Sequence, residues 1–151
     1  MRYLFITFFI ISCSYEKYES SDQPPVAGEC VDGISTYTIN GEEVQFECNG
    51  YDLLGHVSLE QMNAESGNDC WGWTDPLTGK EYALMGLDNG TGIIDISDPF
   101  NPNYLGKIPT ATLSSTWRDI KVYKYHAFIV SEAAGHGMQI FDLSKLRDVT
   151  D

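Results

Sequence analysis

Lys80-Glu81-Tyr82-Ala83-Leu84-Met85 is followed, past a glycine-containing turn, by Gly92-Ile93-Ile94-Asp95-Ile96-Ser97, and the pattern then recurs. Tyr125-His126-Ala127-Phe128-Ile129-Val130 leads in the same way to Gly137-Met138-Gln139-Ile140-Phe141-Asp142-Leu143-Ser144. The step from Ala83 to Ala127 is 44 residues and that from Asp95 to Asp142 is 47. The extra three fall in the second turn, Ser131 to His136, which is the longer one. Strand pairs that repeat with a period in the mid-forties, with no helix between them, fall in the range of β-propeller blades.

The flanking segments complete the units. Trp71-Gly72-Trp73 precedes the first pair, and the two tryptophans share a strand face at period two, which reads as core. Asp98-Pro99 and Asn101-Pro102 punctuate a turn before Tyr104-Leu105-Gly106-Lys107-Ile108. Trp117-Arg118-Asp119-Ile120-Lys121-Val122 opens the second unit, with Ile120 and Val122 alternating with polar residues as a half-buried strand requires. The reading is therefore all-β, an incomplete β-propeller of about one and three-quarter four-stranded blades. Residues 68–112 form the first blade and 113–151 a truncated second.

Upstream, Thr36-Tyr37-Thr38-Ile39, Asn40-Gly41 and Glu43-Val44-Gln45-Phe46 spell a hairpin, since a type I′ turn needs φ > 0 at both central positions. Cys30 and Cys48 bracket it, and a hairpin brings its ends within disulfide distance. These thiols lack the CxxC spacing and paired histidines of a metal site. Cys70 reads as a buried free thiol. Ser58-Leu59-Glu60-Gln61 has the form of a capping box and predicts a short helix over Leu59–Ala64, stopped by Gly67. Hairpin and helix together occupy residues 29–67.

The extreme N-terminus belongs to targeting rather than fold. Met1-Arg2-Tyr3 is a short positive region, and Leu4 to Ile11 is an apolar run of eight residues. As a helix that run spans only about 12 Å, far short of the roughly 20 residues a bilayer needs. Ile10-Ile11-Ser12-Cys13 resembles a bacterial lipobox, with Cys13 as the lipidated residue. Residues 1–12 are then a lipoprotein signal peptide. Residues 13–28, polar and carrying Pro24-Pro25, form a flexible tether. The expected location is extracytoplasmic, at the cell envelope, as an outer-membrane lipoprotein.

The net charge of −13 argues against nucleic acid and against electrostatic docking on anionic lipid, both of which want clustered Lys and Arg. The membrane contact expected is through the lipid anchor only. No metal site is expected. Asp88-Asn89-Gly90-Thr91 with Asp95 and Asp98 is oxygen-rich enough to raise calcium, but it reads equally as turn chemistry and fits no EF-hand spacing. His56, His126 and His136 lack zinc spacing, no GxSxG elbow is present, and no catalytic residue is assigned. Trp117, Arg118 and Asp119, at the entry of a blade strand, are the candidate binding residues.

Gly92-Ile93-Ile94-Asp95-Ile96-Ser97-Asp98-Pro99 resembles the LVIVD repeat, a propeller-blade motif of bacterial and archaeal surface proteins. Three longer stretches are similar to the choice-of-anchor B family of secreted proteins: Gly67 to Asp75, Trp117 to Val122, and Ala127 to Gln139. The resemblance covers about residues 30–151. It implies repeated blades behind an N-terminal signal, a C-terminal anchor, and no catalytic residues to carry over. Family members continue for several more blades, so the resemblance also implies that these residues are the N-terminal part of a longer protein. Two functions fit. One is a surface propeller that binds an unknown protein or glycan through its loops, without cofactor. The other is an enzyme of polysaccharide hydrolase or lyase type, its channel site completed by further blades.

Overall fold

The computed structural model describes residues 28–39 and 41–149. The expected signal peptide, the lipidation site Cys13, nearly all of the tether and Asn40 of the hairpin turn lie outside the described residues.

The chain is all-β, in three antiparallel sheets, none of them closed. The first sheet joins β1 (Cys30–Val31), β2 (Ile34–Ile39) and β3 (Glu42–Glu47). Ile39 pairs with Glu42, and Gly41 has φ +84, the left-handed conformation that a two-residue hairpin loop demands. The disulfide joins Cys30 and Cys48 with Cα atoms 5.9 Å apart. Gly28, read as the end of the tether, is instead buried. Its carbonyl accepts from the Leu53 N–H and from the Ser35 hydroxyl, which ties it to the hairpin module.

The expected helix over Leu59–Ala64 is absent. The capping box does form, with Ser58 N–H donating to Gln61 Oε1 (2.8 Å) and Gln61 N–H donating to Ser58 Oγ (3.1 Å). Only one turn follows, because Asn63 adopts φ +47 and Gly67 already belongs to the next strand. A cap supplies a start, but a helix of one turn gives too few backbone bonds to propagate.

The second sheet is a four-stranded meander of β4 (Gly67–Thr74), β5 (Glu81–Leu87), β6 (Gly90–Asp95) and β7 (Asn103–Pro109). The third has β8 (Arg118–Tyr123), β9 (His126–Ser131) and β10 (Met138–Asp142). A 3-10 helix at Leu143–Asp148 follows. The repeat superposes by register: Ala83 pairs with Ile94 and Ala127 with Phe141. In both units an aspartate closes the turn that follows. Asp95 Oδ1 accepts from Ser97 N–H (3.0 Å) and Oγ (2.6 Å), and Asp142 Oδ1 from Ser144 N–H (3.0 Å) and Oγ (2.7 Å).

Alternation gives each sheet two faces, and the two sheets stack front to back. Trp73, Tyr82, Leu84 and Ile93 share one face of the second sheet. They form a single core with Ile120, Ala127 and Ile129 from one face of the third. The opposite face of the second sheet, with Leu87 and Ile94, is covered by Met62 and its neighbours Val57 and Ala64. Trp73 is core as expected, stacked on Tyr82 with ring centroids 5.6 Å apart, and its indole N–H donates to the Lys124 carbonyl (2.9 Å). Trp71 is not. It remains 41% exposed, with Lys121 Nζ 4.6 Å from its ring centre. Cys70, expected to be buried, is exposed. Both lie on β4, whose second edge meets β8 of the next sheet rather than a strand of its own.

Candidate functional site

The three candidate residues occupy one end of β8, and the structure separates their roles. Trp117 lies just before the strand and is 59% exposed. Its backbone is held by the neighbouring strand end: the Ser131 hydroxyl (3.0 Å) and the Glu132 N–H (3.4 Å) both donate to its carbonyl. The indole thus stands on a fixed stem while its ring remains in solvent.

Arg118 lies between the sheets instead of facing an open channel, at 2% exposure. Its Nε donates to the Leu87 carbonyl (3.0 Å) and its Nη1 to His136 Nε2 (3.0 Å). An arginine can only donate, so His136 Nε2 accepts and the ring proton sits on Nδ1, which donates to the Gly137 carbonyl (3.0 Å). Burial pushes Arg118 below its ordinary pKa, with the Asp88 carboxylate opposing that shift. Arg118 Nη2 is buried and has no hydrogen-bond partner.

Asp119 points outward and pairs with Lys121 (2.6 Å). The lysine holds the carboxyl below its usual range, and the carboxylate raises the lysine in return. Asn68 and Asp69 of the preceding sheet reach across to β8. Asn68 Oδ1 accepts from Arg118 N–H (3.4 Å), and Asp69 Oδ2 from Ile120 N–H (2.8 Å). A depression of about 210 Å³ lies at this junction, lined by Asn68, Trp117, Arg118, Asp119, Ser131 and Glu132 among others.

His136 and Asn68 belong to this constellation, and sequence reasoning passed over both. His136 sat between two glycines and read as turn, and Asn68 read as strand start. Only the contact between sheets joins them to Arg118. The carboxylates that had raised calcium are each committed locally. Asp88 Oδ1 accepts from the Glu65 and Ser66 N–H groups, Asp95 pairs with Lys80 (2.9 Å), and Asp98 accepts from Phe100 N–H and Asn101. Among the described residues no three His, Cys, Asp or Glu side chains converge to hold a metal ion. Nor, among them, is any helix long and apolar enough to cross a membrane.

The arrangement supplies an aromatic platform, two carboxylates, an amide and a hydroxyl around a shallow basin. His136, bonded to Arg118, has both ring nitrogens engaged. Comparison with protein-family models, with curated proteins and with solved structures finds no match.

Proposed function

We infer that this chain is an exported, lipid-anchored repeat protein of the β-propeller, choice-of-anchor B kind, acting as a binding module for a surface glycan or protein. Support for the repeat comes from the shared register and the Asp-x-Ser turn that closes both units. Support for export comes from the Cys30–Cys48 bridge, since disulfides persist in oxidising compartments. Metabolic labelling with palmitate, lost in Cys13→Ser, tests the anchor.

The observation that carries the binding role is Trp117, exposed on a rigid stem above a polar basin. Its indole offers a flat apolar face, and Asn68, Asp119, Ser131 and Glu132 offer hydroxyl-directed hydrogen bonds. Two carboxylates at the rim disfavour acidic ligands, so neutral saccharides are the first class to test. Trp117→Ala should abolish retention on immobilised neutral polysaccharide while leaving the unfolding free energy within about 0.5 kcal/mol of the parent. Retention unchanged in Trp117→Ala would reject this site. The enzyme alternative would place Arg118 or Asp119 in a channel site completed by further blades; Arg118 is already engaged with the Leu87 carbonyl and His136.

A further inference from the structure

Among the described residues, three buried side-chain atoms have no hydrogen-bond partner: Thr91 Oγ1, Arg118 Nη2 and Gln139 Oε1. They belong to β6, β8 and β10, far apart along the chain. All three side chains nonetheless enter the space between the second and third sheets. Thr91 stands two residues before Ile93 and Arg118 two before Ile120, so each shares a strand face with a core residue. Gln139 pairs directly across from Ile129, a core residue of β9.

The bonds these side chains do make bring them to one end of that space. Arg118 Nε donates to the Leu87 carbonyl (3.0 Å), and Gln139 Nε2 donates to the Pro109 carbonyl (3.0 Å). Leu87 and Pro109 are the register partners of Gly90 on either side of β6, and Thr91 follows Gly90. With neighbouring strands about 4.8 Å apart, the two carbonyls lie about 10 Å apart and Thr91 stands between their strands. The same bonds fix the chemistry of each free atom. Nε2 is spent on a carbonyl, so the free end of the Gln139 amide is its oxygen, an acceptor. Arg118 Nη2 can only donate, and the Thr91 hydroxyl does either. A buried donor and a buried acceptor that share one space without pairing stand too far apart for a direct bond and call for a bridge.

We propose that Thr91, Arg118 and Gln139 bind one enclosed water molecule that bridges the second and third sheets. The water accepts from Arg118 Nη2, donates to Gln139 Oε1 and exchanges a hydrogen bond with the Thr91 hydroxyl. That is the two to four polar partners a buried water requires. Chloride would satisfy the arginine and the threonine but set a negative charge against Gln139 Oε1. A saccharide hydroxyl has suitable chemistry, but none of the three atoms is open to solvent. The bridge ties β6 to β8 and β10 at the point where Arg118 also holds His136. It is independent of any binding role of Trp117.

The test is a crystal structure of the full chain, with and without a bromide soak. One solvent peak within hydrogen-bond distance of all three atoms, with no anomalous scattering from bromide, is the expected result. Absence of that peak, a bromide ion in its place, or a direct bond between any two of the three atoms overturns the proposal. In solution, Thr91→Val and Gln139→Met should each lower the thermal midpoint by a few degrees. The double variant should lose less than the sum, because the first substitution already weakens the water that the second group needs. Strictly additive losses also count against the bridge. The crystal measurement needs only the parent chain, so it decides the matter should either variant fail to fold.

Discussion

The second and third sheets grow from one repeat, yet one is sealed on both faces and the other on one. Tyr82, Leu84 and Ile93 are buried, whereas their register mates His126 and Ile140 are exposed and Phe128 is half-buried. The strands and turns are alike, so the difference lies in what each sheet meets. Apolar residues at matched positions have unequal energetic weight, because burial depends on a neighbour and not on the strand itself.

Substitutions matched across the repeat break this comparison most strongly. Leu84→Ala and Ile129→Ala should each cost about 2–5 kcal/mol, the range for truncating a fully buried aliphatic side chain. Ile140→Ala should change stability by no more than about 0.5 kcal/mol. Chemical denaturation of the three variants measures the contrast, and equal losses would mean that the third sheet is covered on both faces in solution.

The disulfide module gives the next largest effect. Removing the bridge with Cys30→Ser and Cys48→Ser should destabilise residues 28–53 by roughly 3 kcal/mol, from closure of an 18-residue separation. Hydrogen exchange should accelerate in β2 and β3 and stay unchanged in β5 and β9. No strand of this module pairs with the other two sheets, which is why the effect should remain local.

Arg147 and Asp75 couple the ends of the repeat. Asp75 is buried, and Arg147 donates to both its oxygens from the 3-10 helix (2.6 and 2.8 Å). The guanidinium beside it holds the Asp75 carboxyl well below the usual carboxylate range. A depressed folded value means that the contribution is complete above the unfolded value of about 3.9 and is lost as pH falls below it. Thermal midpoints of the parent should therefore drop steeply below about pH 4. Arg147→Ala should lower the midpoint at neutral pH and flatten that acid slope, and an unchanged slope would remove Asp75 as its source.

The smallest effect is the sharpest test of likeness. Asp95→Ala and Asp142→Ala remove the same turn acceptor from the two units and should lower the midpoint in parallel. Unequal losses would mean that the pair Lys80–Asp95, which the second unit lacks, contributes as much as the turn.

Much of the fold was legible because it rests on local chemistry. Alternation placed β5, β6, β8, β9 and β10 close to their observed bounds, and Asn40-Gly41 marked the hairpin whose ends the disulfide joins. The helix after Ser58 failed because a capping box specifies a start and says nothing of length, which the early return to strand at Gly67 curtailed. Of the candidate site, Trp117 read as a residue at the entry of a blade strand, and its ring is exposed. Arg118 and Asp119 read alike, as candidate binding residues of the strand entry. Adjacent strand residues point to opposite faces, and here one face meets Leu87 and His136 while the other meets water.

The sequence by itself determined the strand period, the turns, the repeat and the cysteine pairing, since each depends on residues close along the chain or at the two ends of one hairpin. Only the tertiary structure decided which faces are buried, that Trp73 is core and Trp71 is not, and that Arg118 and His136 meet. Those outcomes depend on which sheet lies against which, and packing between elements distant in sequence leaves no period to read.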